Sequence, residues 1–274
     1  MNNNENNNDQ GFIFITKQGS SQKNNLPHEE TMSDQKPNKK LKIDRNLSRS
    51  LSWLLRHSAP SLKLAVSSDG YVPISAILTL KVRKFNTYTE EDICRVAHSN
   101  DKQRFRVELK RVTYSQDKSN ATTYVFSGDE EGEEVSCIRA NQGHSITGLC
   151  FDELLTAIPD HELKDLTIIH GTYTDRWNKN IRKEGLSKMN RNHIHFAAGL
   201  SSGEETVISG MRKTCQVYIY IDGASCAQDG IKFYRSDNGV ILSAGAEAGI
   251  LSCRYFARVV DAESGKELKY ESDL

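Results

Sequence analysis

Thr167-Ile168-Ile169-His170-Gly171-Thr172 is a short apolar run that ends in polar and small residues. Its length is that of a strand, and similar runs follow it: Ile194-His195-Phe196-Ala197, Val217-Tyr218-Ile219-Tyr220-Ile221 ahead of Asp222, Phe233-Tyr234, Val240-Ile241-Leu242, and Tyr255 to Val260. Between the first two, Asp175 to Lys183 carries Trp177 and Ile181 at helical spacing, with Gly185 placed to end the helix. This half of the chain therefore predicts a compact sheet of mostly antiparallel strands with one or two helices packed on it. His170 and His195 lie at the end of, or within, two of these strands. One such histidine reads as a satisfied core residue, whereas two on consecutive strands point to a shared pocket. Arg212 follows the small segment Ile208-Ser209-Gly210-Met211 and precedes a strand, which suits either a solvated arginine or one presented to a ligand.

Working outward towards the N-terminus, Cys137-Ile138-Arg139-Ala140-Asn141-Gln142-Gly143-His144-Ser145 is dense in hydrogen-bonding groups, a poor design for a core strand. It reads as a loop that grips an anion, or as a polar turn with a surface arginine. Arg139 offers a planar fork of donors matched to phosphate oxygens, and Gly143 lets the backbone approach closely.

Before it, an N-cap at Asn46 and Leu47, Leu51, Leu54 and Leu55 predict a helix that Pro60 stops. Arg56 and His57 fall in its last turn, where cations also favour the helix dipole. A second helix begins at Pro73 with Ile74, Ile77 and Leu78, and a third at Thr89 with Asp92 three residues on. Arg104–Leu109 and Thr122–Phe126 then read as a hairpin. Three helices and a two-stranded wing are the element order of a winged-helix module, which often meets nucleic acid. The acidic run Asp129 to Glu134 reads as a solvated insert.

The 274 residues suffice for two domains, and their net charge is zero, so any nucleic-acid contact must come from local patches. Six cysteines without a Cys-x-x-Cys pair argue against a structural zinc site and fit a reducing compartment, cytoplasmic or nuclear. No apolar run reaches membrane-spanning length. Residues 1–44 are rich in Asn, Gln, Ser and Lys and read as a disordered tail, whose end, Lys36 to Lys42, is a basic cluster suited to a nuclear signal, an RNA contact or a solvated linker. The expected organisation is that tail, a winged-helix lobe over 45–136, a second lobe over 137–262, and a C-terminal tail over 263–274. A monomer is expected, since no apolar helix face is left over.

Leu55-Arg56-His57, Asp69-Gly70-Tyr71-Val72, Ile138 to Ser145, His170-Gly171-Thr172, Arg191 to Phe196, Gly210-Met211-Arg212 and Ser236 to Val240 occur in one order. In that ordered set the chain resembles the tRNA 2′-phosphotransferase family over residues 45–262. The resemblance implies an α+β protein whose second lobe has the ADP-ribosyltransferase fold, with a His-His-hydrophobic signature at His170, His195 and Val240. It implies a two-step reaction in which NAD is co-substrate and no metal takes part. The internal 2′-phosphate of ligated tRNA attacks the NAD ribose and nicotinamide departs; the ribose 2-hydroxyl then attacks phosphorus, leaving a 2′-hydroxyl on the RNA and ADP-ribose 1″,2″-cyclic phosphate.

Carried over by motif, the family's Arg-His-Arg-Arg set falls on Arg56, His57, Arg139 and Arg212. The first three are expected on the 2′-phosphate, and Arg212 on the charge that develops in the second step. His170, Gly171, Thr172, His195 and Val240 are expected at the NAD pocket, and His144 and Ser145 near phosphate or nucleotide. The alternatives are a one-step ADP-ribosyltransferase acting on nucleic-acid phosphates or protein, and a non-catalytic RNA-binding module.

Overall fold

The computed structural model describes residues 39–116, 122–127, 132–200, 211–212 and 214–270. It is a mixed α/β protein in which every strand pairing is antiparallel among the described residues. The expectations for residues 1–38 and for Asp129–Glu131 lie outside the described residues.

The N-terminal part begins with helix α1 (Lys39–Trp53), which starts before the expected cap at Asn46. It continues into a wider π-helical turn, Leu54–Ser58, closed by Ala59 N–H donating to Leu54 C=O five residues back. Strand β1 (Val72–Pro73) leads into α2 (Ile74–Leu78), and α3 (Glu90–His98) follows. Thr89 caps α3: its Oγ1 accepts from Asp92 N–H, while the Asp92 carboxylate accepts from Thr89 N–H. β2 (Phe105–Gln116), β3 (Thr122–Phe126) and β4 (Glu133–Ala140) complete a sheet of order β1-β4-β2-β3. Leu47, Leu51, Leu54 and Leu55 pack with Ile74, Ile77, Phe85, Ile93 and Ile138 in its core. That apolar stripe at helical spacing is what fixes α1 onto the sheet.

Cys137–Ala140 is thus strand, not loop, and Arg139 is 5% exposed within it. A buried guanidinium is tolerable there because its terminal donors find partners on part-exposed residues. Nη2 donates to Asp237 Oδ2 at 2.7 Å, Nη1 to the Asp69 carbonyl at 3.1 Å, and the guanidinium lies 4.9 Å from the Tyr71 ring centre.

Helix α4 (Phe151–Leu154) connects to β5 (Thr156–Ile158). β6 (Ile168–Thr172) is followed by a helical segment made of α5 (Thr174–Arg176), a π turn Trp177–Ile181 and α6 (Arg182–Glu184). It ends at Gly185, φ +87°, as the sequence predicts. β7 (Leu186–Ser187), β8 (Ile194–Phe196), β9 (Val217–Ile221), α7 (Gly223–Gln228), β10 (Phe233–Arg235), β11 (Ile241–Ser243), β12 (Ile250–Leu251) and β13 (Phe256–Asp261) complete the chain. They form sheets of order β5-β10-β11-β8 and β13-β9-β6, and the pair β12-β7. Trp177, Ile194, Phe196, Val217, Ile219, Phe233, Ile241 and Val259 share one core. Beyond residue 262, Leu268 N–H donates to Val259 C=O and Tyr270 packs on Trp177 and Phe256.

Candidate active site

The sheets β13-β9-β6 and β5-β10-β11-β8 meet where Ile169 of β6 bridges to Ala197, just after β8, and then diverge. A cleft of about 1060 Å³ opens beside them, lined by His57, Ser145, His170, Thr172, Arg191 and His195 among others. Because Ile169 spends its N–H and C=O on Ala197, strand geometry directs those of Gly171, two residues on, to the same edge. His170 and Thr172 instead turn theirs towards β9. Gly171 therefore offers one donor and one acceptor along the diverging edge, with no backbone partner among the described residues. A side chain at that position would displace its neighbours: a Cβ would come within 2.6 Å of Met211 Sδ and 2.9 Å of Cys215 Sγ.

The two strand histidines are tied together. His170 Nδ1 donates to the His195 carbonyl at 2.9 Å, which leaves Nε2 of the neutral ring as an acceptor. Burial holds both rings below the ordinary histidine pKa, and the charges of Arg191 and, for His195, Arg56 push the same way. His195 Nε2 is buried without a hydrogen-bond partner, an atom whose desolvation is uncompensated until something binds.

On the facing wall the π turn carries Arg56 and His57. Single turns of this kind recur at functional sites. Ser145 N–H donates to Arg56 C=O at 2.9 Å, and His57 Nδ1 lies 2.9 Å from Ser145 Oγ. Gly143, at φ +89°, is where the backbone passes closest: an added Cβ would sit 3.3 Å from Arg56 Nε. That Nε is itself buried and unpaired. Burial, then Arg191 and Arg104, lower the Arg56 pKa to about 10, so it remains charged at neutral pH. The His57 pKa is lowered by burial, then by Arg56 and Arg191. His144, 3% exposed, is lowered to about 3 by burial first, then by Arg56 and Arg139.

The sequence pattern gave Arg191 no role, yet Arg191 lines the cleft and its charge depresses His57, His170 and His195. No carboxylate pairs with Arg56 or Arg191 among the described residues. The Arg191 loop is clamped to the preceding wall by Asn192, whose N–H donates to His144 C=O at 3.0 Å and whose Nδ2 donates to Ile146 C=O at 3.1 Å. The signal was present in the sequence as Arg191-Asn192-His193-Ile194-His195, where the strand histidine is the more conspicuous residue.

Three expected site residues sit elsewhere. Arg212 is exposed at the rim, 3.5 Å from Tyr173 Oη and 5.8 Å from that ring's centre. Arg139 is occupied by Asp237 and Asp69. Val240 is buried in a separate apolar cluster with Leu154, Leu155 and Leu242, its N–H bonded to Ser236 Oγ.

The arrangement is thus two unpaired guanidiniums and neutral imidazoles around a cleft with an exposed backbone edge. Residues 42–245 match the family model described as RNA 2′-phosphotransferase, Tpt1/KptA family. The chain belongs to this family. Among its relatives, the tRNA 2′-phosphotransferase 1 of Danio rerio is 41% identical over 78% of this chain and 84% of its own length. A Schizosaccharomyces pombe protein named putative tRNA 2′-phosphotransferase is 41% identical over 86% of this chain, which spans 57% of that relative. The Saccharomyces cerevisiae tRNA 2′-phosphotransferase is 37% identical over 74% of this chain and 79% of its own length.

Proposed function

We propose that the protein is an NAD-dependent tRNA 2′-phosphotransferase, with the N-terminal part acting as a winged-helix RNA-binding lobe and the C-terminal part as an ADP-ribosyltransferase-like lobe. The observation that carries this reading is the pairing of an uncompensated Arg56–Arg191 cation site with the unpaired Gly171 edge across one cleft. A carboxamide matches the edge, accepting from the Gly171 N–H and donating to its C=O. His170 and His195, kept neutral, add polar contacts without repelling the pyridinium charge of the oxidised nicotinamide ring. The phosphate of the RNA is held by Arg56, by His57 and Ser145, and by Arg191.

In the first step a 2′-phosphate oxygen bonds to the ribose anomeric carbon as the bond to nicotinamide nitrogen breaks. Holding the two reactants in line supplies much of the acceleration. In the second step the neighbouring ribose hydroxyl bonds to phosphorus, loses its proton, and the RNA 2′-oxygen leaves and gains one. Negative charge then builds on the equatorial oxygens, where Arg191 and, from the rim, Arg212 stabilise it. Arg139 acts from below: pinned by Asp237 and Asp69, it anchors the end of the strand that leads to His144.

Nicotinamide release from NAD, measured with an RNA carrying one internal 2′-phosphate and with its 2′-hydroxyl twin, tests the reading. Release that requires the 2′-phosphate supports it. Equal release with both RNAs overturns it, and an ADP-ribosylated RNA that persists identifies the one-step reaction instead.

A further inference from the structure

The stretch from Arg45 to Tyr88 carries seven Lys and Arg against one carboxylate, Asp69, in a chain of zero net charge. The structure gathers much of this excess on one surface. α1 and the turn after it bury Leu47, Leu51 and Leu54, and the flank of α1 is held to α3 by Asp44–Arg95 at 2.8 Å and to the loop after α3 by Asn100 Nδ2 donating to Ser48 Oγ at 3.2 Å. Arg45, Arg49 and Trp53, spaced four residues apart, therefore share the remaining side, and four residues beyond Trp53 is His57 of the cleft. Arg45 and Arg49 are exposed and have no carboxylate partner among the described residues.

The exposed segment Lys81-Val82-Arg83-Lys84 reaches the same side. Arg83 and Lys84 both adopt left-handed backbone, φ +50° and +58°, a conformation costly for residues with a Cβ. The result is that the Arg83 guanidinium lies 4.3 Å from the ring centre of Trp53. A stacked Arg–Trp pair, flanked by unpaired cations and continuous with a phosphate site, matches the chemistry of a single RNA strand.

We propose that this ridge, Arg45–Arg49–Trp53 with Arg83 stacked on it, receives the RNA strand that flanks the 2′-phosphate and leads it to His57. Phosphodiesters lie on Arg45 and Arg49, and a base stacks on the Arg83–Trp53 platform. The proposal rests on the RNA 2′-phosphotransferase reading of the cleft.

The test is a salt titration of the full chain with a labelled single-stranded RNA bearing one internal 2′-phosphate, without NAD. In Arg45→Gln/Arg49→Gln the slope of log affinity against log salt falls by about 1.4, roughly 0.7 for each phosphate that is no longer neutralised. In turnover with NAD, the KM for this RNA rises several-fold while kcat and the KM for NAD hold. A control pair in the C-terminal segment, Lys266→Gln/Lys269→Gln, leaves all of these unchanged. An unaltered slope and KM in the ridge variant, or an equal effect in the control, overturns the proposal. If the wild type shows the ridge-dependent slope but turns over no RNA, the ridge stands and the phosphotransferase reading fails.

Discussion

Arg56 and Arg191 flank a cleft with no carboxylate paired to either among the described residues, an arrangement that raises the free energy of the empty protein and is relieved by an anion. Arg191→Ala is expected to lower the turnover of 2′-phosphorylated RNA about 10²–10³-fold, the usual cost of removing one aimed stabilising group. Arg212→Ala is expected to slow the second step more than the first, so that ADP-ribosylated RNA accumulates; resolving the RNA products over time distinguishes the two variants. If Arg191→Ala retains near-full rate, the cation at the centre of the cleft is misassigned. His57, His170 and His195 were legible as polar residues at a helix end or within apolar strands, and Ser145 and Thr172 only through the ordered motifs; all five line the one cleft. Arg191 was hidden by its ordinary surroundings in the sequence, because its importance comes from Asn192, which clamps its loop to His144 and Ile146 more than forty residues away.

The elements followed local rules wherever those rules were strong. Thr89 and Asp92 form the reciprocal cap expected of them, and Thr89→Ala should cost about 1 kcal/mol of stability in urea denaturation. Gly185→Ala should cost more, since φ is +87° and the new Cβ would overlap the Leu251 carbonyl oxygen that borders the β7–β12 pair. Equal, negligible losses in both variants would contradict this account of the two helix ends. Sequence reasoning failed where a distant partner decides. α1 extends back through Asp44 because that carboxylate pairs with Arg95 of α3, a contact that no local pattern announces. Cys137–Ala140 forms a strand in which the Asp237 carboxylate and the Asp69 carbonyl accept from Arg139, which lets a charged residue occupy a core position.

For the whole molecule, the buried imidazoles couple folding to pH. Burial lowers the pKa of His144 to about 3 and of His193 to about 4, each from an ordinary 6.5. The unfolded chain therefore binds more protons than the folded one within that window. Stability is fully present above about pH 6.5 and drains as pH falls towards the folded values. The urea midpoint should drop with acid over this range, and His193→Phe, which keeps packing against Phe151 and Tyr234, should make the decline shallower. An unchanged slope would mean that this ring is protonated in the fold without penalty. The most direct test of the central claim uses the purified chain and an RNA with one internal 2′-phosphate, incubated with and without NAD in EDTA, with all products resolved. The account predicts NAD-dependent loss of the phosphate, with release of nicotinamide and ADP-ribose 1″,2″-cyclic phosphate. Phosphate removal that proceeds without NAD, or none with it, would contradict the account.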